Sequence, residues 1–243
     1  RFLQRVPNQD LWFGFHAKVT PVDLRLRAYN STRRLLRRLR MQAWFDVYAC
    51  QILAAPAAAR GAPSQWASEE LWTGEVEAGY GAWLTAAHPH RAGEMQARWQ
   101  TGYRCFAATT AAPPPVGSCA AYLWAAVGPT RFHSRSLGRW WDIPQGVAWL
   151  FDAWAHPLSL GTYPDLNRFA VACLCRQGVA ETWSQVEFGN RVSRRLLQRW
   201  GAVCVGRAVV CRVAGLSWSR VMTHPSHPAI SGPIRPRPQT SIP

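Results

Sequence analysis

The stretch Val203–Val213, which reads Val-Cys-Val-Gly-Arg-Ala-Val-Val-Cys-Arg-Val, has the pattern that decides the predicted fold class. Its apolar residues fall largely on odd positions, as in a strand with one buried face, and Arg207 and Arg212 interrupt the alternation. Residues 182–199 are predicted to form a helix, and residues 167–177 a short helix or a strand. Helix and strand together in this C-terminal part predict an α+β fold.

The N-terminal part is dominated by arginine. Residues 31–55 are predicted to form a helix, which Ser31 or Thr32 can cap because a hydroxyl accepts from the amides of the first turn. Leucines fall near one face of this helix and arginines around the rest. The density of arginine between Arg25 and Arg40 favours phosphate contact over a merely solvated face.

The middle of the chain is rich in Ala, Gly and Trp and has weak periodicity, with short helices predicted over residues 68–77 and 93–102. The predicted architecture has two lobes and extended termini. The predicted segments are a basic N-terminal extension and helix (1–55), a divergent middle (56–140), a C-terminal α+β lobe (141–224) and an extended tail (225–243).

Charge is the strongest property of the composition. The chain has 28 Lys and Arg against 13 Asp and Glu, a formal net charge of +15, which favours a polyanion partner. Lys18 is the only lysine. Guanidinium suits phosphate because it is planar and bidentate, but a GC-rich coding sequence would give the same arginine bias. The hydrophobic fraction of 48% excludes a disordered basic tail.

No stretch of eighteen uncharged apolar residues occurs, so no spanning helix is predicted. The chain begins at Arg1, from which we expect that a leader or upstream region has been removed. The seven cysteines form no ladder, which favours buried thiols in a reducing compartment over a disulfide framework; a metal shared with a neighbouring chain is the alternative.

No catalytic constellation is recognised: the chain lacks a GxSxG elbow, a phosphate-binding GxxxxGK[ST] loop and a GxGxxG turn. His88 and His90 can hold a metal but are more simply surface histidines. Asp152 and His156 have helical spacing, but prolines flank them, and a dyad would need a third group and a pocket. The sequence therefore predicts no catalytic residue, no metal site, no cofactor and no enzymatic activity.

The arginine clusters are the candidate binding residues. On a helix, Arg191, Arg194, Arg195 and Arg199 would recur at three- and four-residue steps along one side, as a row that can follow a phosphate backbone. The predicted RNA-contacting residues are Lys18, Arg25, Arg27, Arg33, Arg34, Arg37, Arg38, Arg40, Arg191, Arg194, Arg195, Arg199 and Arg207.

Three short runs carry a resemblance to a family. They are Lys18-Val19-Thr20-Pro21 followed by Arg25-Leu26, then Trp44-Phe45-Asp46-Val47-Tyr48, and Arg191-Val192-Ser193-Arg194-Arg195. In this order they resemble the universal small-subunit ribosomal protein S-three family, in a divergent mitochondrial form. The resemblance implies an N-terminal helical lobe with a KH-like remnant, although the family's Gly-x-x-Gly loop is not found in the middle.

The resemblance implies a structural protein of the mitochondrial small ribosomal subunit, in the matrix. Its partners would be ribosomal RNA, messenger RNA and neighbouring ribosomal proteins, with Arg191, Arg194 and Arg195 facing incoming messenger RNA. The alternative is an accessory matrix-side subunit of a respiratory or ATP synthase complex, in which the tryptophans form a protein interface. A third hypothesis, a metal-dependent or hydrolytic enzyme, rests only on scattered His and Asp residues.

Overall fold

The computed structural model describes residues 45–60, 71–110, 118–159, 161–213 and 216–223, together with Ala28, Ser31, Thr32 and Leu35 of a helical turn. Within these ranges no helix is long and apolar enough to cross a lipid bilayer. The elements there are β1 (Phe45–Pro56), β2 (Leu71–Val76), α1 (Gly81–Ala87), α2 (Ala92–Gln100), β3 (Arg104–Thr110), β4 (Cys119–Val127), β5 (Thr130–Ser134), β6 (Arg139–Ile143), β7 (Val147–Ala155), α3 (Thr162–Arg176), β8 (Glu181–Glu187), α4 (Arg191–Arg199), β9 (Val203–Val213) and β10 (Leu216–Thr223).

Eight of these strands form one sheet in the order β10-β9-β1-β8-β7-β4-β3-β2, and β5 and β6 form a separate hairpin. β7 and β8 are paired parallel. The other described pairs are antiparallel. The crossover from β7 to β8 contains α3, as a parallel connection requires. In the strand order, β7 and β8 have further strands on both sides, so the parallel pair lies in the interior of the sheet.

The first strand corrects the helix that was predicted over residues 31–55. Positions 31, 32 and 35 are helical, but β1 begins at Phe45 and lies between β8 and β9. Ile52, Leu53, Ala54 and Ala55 are each at most 1% exposed, so both faces of this strand are buried. A strand covered on both faces has a continuous apolar run without alternation, which periodicity does not separate from a helix.

Two further helix predictions are wrong. Residues 182–199 form strand β8 and then helix α4, with the Gly189-Asn190 turn between them. The predicted helix over 68–77 is replaced by β2 over Leu71–Val76. The strand predicted over Val203–Val213 and the helix predicted over 93–102 are confirmed as β9 and α2, and residues 167–176 are helical within α3.

The α+β class is confirmed, whereas the description as two lobes with a KH-like remnant is not. One sheet takes β1 from the segment 1–55, β2 to β4 from 56–140 and β7 to β10 from 141–224. The boundaries of these segments stay a prediction, and the predicted extended tail (225–243) lies outside the described residues.

Helices α3 and α4 cover one face of the sheet. Leu166 and Leu174 of α3 pack with Phe106 and Leu123 of the sheet, and all four are buried. Trp200, at the end of α4, packs in a neighbouring cluster with buried Leu53 and Val186. Burial of each such large side chain stabilises the fold by roughly 1.5–3 kcal/mol.

The opposite face is covered by α1, α2 and the β5–β6 hairpin. Leu84 of α1 and Met95 of α2 pack with Trp124 of β4. Phe132 and Trp141 of the hairpin lie in a cluster with Trp149 and Trp183 of β7 and β8. The two covering units leave a cavity between α2 and the hairpin, above β7 and β8.

Candidate active site

The parallel strands β7 and β8 pair over only part of their length. The pairs run from Val147 with Glu181 to Leu150 with Ser184, although β7 continues to Ala155 and β8 to Glu187. Beyond this point β7 stays paired with β4 and β8 with β1. The carboxyl ends of the two strands therefore separate in the interior of the sheet, where α/β folds commonly bind ligands.

A β-bulge in β7 lies at the point of separation. Tyr122 of β4 is opposite Trp154, whereas Trp124 is opposite Phe151, so β7 has one more residue than β4 in this interval. Asp152 lies in the bulge with φ of 49°, the one positive φ among the described non-glycine residues. A bulge bends its strand and re-aims side chains, which directs Asp152 into the cavity wall.

Asp152 is the centre of a charged cluster. Its carboxylate accepts hydrogen bonds from Arg91 and Arg98, and Arg98 also donates to Glu94. Nη1 of Arg135 lies 2.8 Å from Oε2 of Glu94. Burial alone would raise the pKa of Asp152, but the hydrogen bonds and charges of Arg91 and Arg98 outweigh it and lower the pKa. Asp152 is therefore an anchoring anion and a poor general base.

The cavity beside this cluster has a volume of about 610 Å³. Trp149, Phe151 and Gln185 of β7 and β8 line it from the sheet. α2 and the segment that precedes it contribute Arg91, Glu94 and Arg98, β7 contributes Asp152, and the hairpin contributes the opposite wall with Arg135. The size is typical of a pocket for a small molecule.

A polar network lies in the same cavity, next to the point where the strands separate. Gln185 Nε2 donates to the Tyr48 hydroxyl at 2.9 Å and to Ser136 Oγ at 2.6 Å, and Ser134 Oγ donates to Gln185 Oε1 at 2.7 Å. Burial raises the pKa of Tyr48 to about 12. The phenol therefore stays protonated at neutral pH and can donate a hydrogen bond to a developing negative charge.

Helices α3 and α4 begin just after the carboxyl ends of the parallel strands, on the face opposite to the cavity. Gly161 is the N-cap of α3 and provides no side-chain cap, and a Cβ placed there would meet nothing within 4 Å. The first N–H groups of a helix have no acceptor within the helix and attract anions. Gly161 therefore leaves room for a ligand at the start of α3, where Thr162 is buried, Pro164 has no N–H to donate, and Asp165, 3.2 Å from Arg168, adds a negative charge.

The predicted cations of the C-terminal part do not line this cavity. Arg191, Arg195, Arg199 and Arg207 are exposed on α4 and β9. Arg194 lies over the ring of Phe188 at 5.2 Å, and burial together with the charges of Arg191 and Arg195 lowers its pKa. An RNA contact of these individual side chains stays a prediction. Lys18, Arg25, Arg27, Arg33, Arg34, Arg37, Arg38 and Arg40 lie outside the described residues.

The two residue pairs considered in the sequence, His88 with His90 and Asp152 with His156, have different surroundings. His88 is buried, its ring contacts those of Tyr122 and Trp154, and burial lowers its pKa. His156 lies at the end of β7 beside Trp154, while the Asp152 carboxylate is held by arginines. Neither pair forms a catalytic dyad.

The cysteines are all free thiols. Burial raises the pKa of Cys50 and of Cys119 to about 12, so these two stay protonated at neutral pH. A protonated buried thiol is a weak nucleophile. Covalent catalysis through either of them is not favoured.

The comparisons with known proteins find likeness in structure only. No protein-family model matches the chain, and no curated protein sequence matches it. A Drosophila protein solved by a structural genomics programme is 12% identical with a TM-score of 0.49, over 76% of this chain and 58% of that chain. The chain is thus similar to little more than half of that protein.

Two further similar structures are a GNAT protein and an N-acetyltransferase. A tandem GNAT protein from the clavulanic acid biosynthesis pathway is 15% identical with a TM-score of 0.48, over 72% of this chain and 54% of that one. A GCN5-related N-acetyltransferase from Sphaerobacter thermophilus is 14% identical with a TM-score of 0.45, over 80% and 57%.

The ribosomal interpretation is wrong. The named neighbours are N-acetyltransferases and not ribosomal proteins, and no family match supports the three short runs. The same findings correct the partners predicted from it (ribosomal RNA, messenger RNA and ribosomal proteins), the alternative of a respiratory or ATP synthase subunit, and the expectation that the chain is not an enzyme. The runs misled because short basic motifs recur by chance in so arginine-rich a chain. The mitochondrial location stays a prediction.

Sequence reasoning missed the residues that the structure brings together. Arg91, Glu94 and Arg98 belong to one helical region, while Asp152 comes from β7 and Arg135 from the hairpin. No local pattern indicated these cavity residues. The order of strand β7, a short segment containing Gly161, and helix α3 is a local signal only for the helix start on the opposite face of the sheet.

Proposed function

We propose that the chain is an N-acetyltransferase that takes its acetyl group from acetyl-CoA. The observation that carries this proposal is the separation of β7 and β8 after Leu150 and Ser184. It places a helix start without a side-chain cap on one face of the sheet and a polar, aromatic cavity on the other. Two substrates can therefore approach one gap from opposite sides.

Acetyl-CoA would bind on the face that α3 and α4 cover. Its diphosphate would meet the N-terminus of α3 at Gly161, where a side chain is missing and the helix dipole is positive. Its thioester would reach the gap between β7 and β8. The acceptor amine would come from the cavity.

The reaction in this arrangement is direct acyl transfer. The amine nitrogen attacks the thioester carbonyl carbon, the carbon–nitrogen bond forms and the carbon–sulfur bond breaks. The proton lost by the amine ends on the departing thiol. Tyr48, kept protonated and held by Gln185, would donate a hydrogen bond to the charge that develops on the thioester.

Calorimetric titration of the purified chain with acetyl-CoA tests the binding step, and release of free thiol in the presence of primary amines tests the transfer. We expect a Kd within the range of roughly 1 μM–1 mM that is common for enzyme substrates. A chain that binds no acetyl-CoA contradicts the proposal.

Tyr48→Phe separates binding from chemistry. We expect it to keep the affinity for acetyl-CoA and to lower kcat by about tenfold or more, since it removes a donor used in the transition state. Tyr103→Phe is the matched control, because the Tyr103 hydroxyl also borders the cavity but donates to the Arg131 carbonyl oxygen at 2.8 Å. Equal kcat values for the two variants would remove Tyr48 from the mechanism.

A further inference from the structure

The cavity carries an excess of positive charge. Three guanidinium groups border it, those of Arg91, Arg98 and Arg135, against the two carboxylates of Glu94 and Asp152. The net charge of these five groups is +1, which one carboxylate of a ligand would neutralise. The acceptor amine is neutral when it attacks, so a phosphate monoester, which carries about −1.5 to −2 at neutral pH, would leave an excess of negative charge.

The three arginines are not equally available to a ligand. Arg98 donates through one nitrogen to Asp152 and through the other to Glu94, and Arg91 donates to Asp152 and to the Tyr122 hydroxyl. Arg135 meets Glu94 through Nη1, and its side chain is 69% exposed. Arg135 is therefore the cation whose remaining donors are best placed to receive an anion.

An aromatic wall lies between the charged cluster and the polar network. Phe132 has its ring centroid 5.3 Å from that of Trp149 and 4.5 Å from that of Phe151, and Tyr103 lies 5.5 Å from Phe151. Within the described part of the chain, Nε1 of buried Trp149 has no hydrogen-bond partner. This wall suits an apolar body, and ring faces also attract an amine in its cationic form.

The two ends of the cavity therefore differ in chemistry. Tyr48 and Gln185 lie where the strands separate, next to the gap that acyl transfer needs. The guanidinium groups lie towards α2 and the hairpin. A ligand that carries both an amine and an anion can meet both kinds of group.

We propose that the acceptor is a small amine that carries a carboxylate and an apolar, preferably aromatic, body, and that Arg135 selects the carboxylate. The proposal rests on the proposed acetyl transfer. The products are the N-acetylated amino carboxylate and the free thiol of CoA, so that one amide bond forms as one thioester bond breaks.

The test uses two matched pairs of amines with the full chain and acetyl-CoA: L-phenylalanine against phenethylamine, and β-alanine against propylamine. Within each pair the carboxylate is the main difference. We expect kcat/KM for L-phenylalanine to exceed that for phenethylamine by about two- to fivefold, as one ion pair with a largely exposed arginine allows. Equal kcat/KM values within each pair, or higher values for the amines without a carboxylate, overturn the proposal.

Charge reversal identifies the residue. Arg135→Glu should remove or invert the preference for L-phenylalanine, and Arg135→Lys should keep most of it. Arg131→Glu is the matched control, because Arg131 lies on the same hairpin, is 62% exposed and pairs with Asp142 outside the cavity. A preference that changes as much with Arg131→Glu as with Arg135→Glu contradicts the role of Arg135.

Calorimetry separates this inference from the proposed function. If acetyl-CoA does not bind but L-phenylalanine binds and loses affinity in Arg135→Glu, the acyltransferase proposal fails and the amino carboxylate pocket stands. If acetyl-CoA binds and L-phenylalanine shows no affinity or advantage over phenethylamine, the pocket assignment fails alone.

Discussion

The two strand-to-helix units β7–α3 and β8–α4 lie side by side in the same orientation, and they differ at the point where strand gives way to helix. β7 contains a bulge at Asp152 and reaches a helix whose N-cap is Gly161. β8 pairs with β1 in unbroken register and reaches a helix whose N-cap, Asn190, accepts a hydrogen bond from the Ser193 amide at 3.0 Å.

The difference indicates how the work is divided between the two units. In β8–α4 the Asn190 side chain caps the helix by accepting a hydrogen bond from a free amide of the first turn, so this unit contributes to stability. In β7–α3 the strand is bent away from its neighbour and the helix start lacks a side-chain cap, which favours a ligand at that position. Closely related local structures thus serve a structural role in one case and a binding role in the other.

The largest expected effect comes from the bulge that β7 contains and β8 lacks. Asp152→Asn should lower the free energy of unfolding by about 2 kcal/mol, because Arg91 and Arg98 lose their shared carboxylate in a partly buried site. Asparagine tolerates the left-handed backbone, so this variant isolates the charge, whereas Asp152→Ala should lose roughly 1 kcal/mol more through backbone strain. Urea denaturation measures both.

The stability difference between the wild type and Asp152→Asn should depend on pH in a definite direction. Because the pKa of Asp152 is lowered in the folded state, its contribution is present above its unfolded pKa, about 3.9, and is lost as pH falls through the folded pKa. The stability gap between the wild type and Asp152→Asn should therefore be constant near neutral pH and shrink under acid conditions. A gap that grows below pH ~4 would contradict the ion cluster.

The next effect sharpens the difference between the helix starts. Gly161→Asp should weaken acetyl-CoA binding by about tenfold, since it places a negative charge where the diphosphate is expected. Stability should stay the same or rise slightly, because aspartate is a good N-cap. Gly79→Asp is the control: a Cβ at Gly79 also meets nothing within 4 Å, and Gly79 lies before α1. Similar loss of affinity in both variants would point to net charge alone.

The smallest effect is expected at the N-cap of α4, where substitution should change stability and not acetyl-CoA affinity. Asn190→Ala should lower the free energy of unfolding by about 1 kcal/mol through loss of the cap on α4, and should leave acetyl-CoA affinity unchanged. Thermal denaturation and calorimetry of the same sample measure the two quantities. A loss of affinity without a loss of stability would reverse the roles assigned to the two units.

Local pattern predicted the elements that have one buried face or a clear helical period. β9 over Val203–Val213 and α2 near residues 93–102 were predicted for this reason. The prediction failed at β1 and β8, where burial on both faces removes the alternation, and it missed the Gly189-Asn190 turn that ends β8. Parallel pairing of β7 and β8 depends on the whole topology, so no local pattern indicates it.

The candidate site was not predicted for a related reason. Arg135, Asp152 and Gln185 lie on three elements and meet only after the sheet forms. The visible arginine runs drew the prediction to the N-terminus and to α4, whereas the arginines of the cavity are scattered singly among apolar residues. Charge density along the chain is a poor guide to charge density in space.

Backbone amide hydrogen exchange with and without acetyl-CoA tests the central claim most directly. The account predicts that the amides of Gly161, Thr162 and Tyr163 become protected when acetyl-CoA is added, while those of Ser193 and Arg194 keep their exchange rates. Unchanged exchange at the start of α3, or equal protection at the starts of α3 and α4, would contradict it.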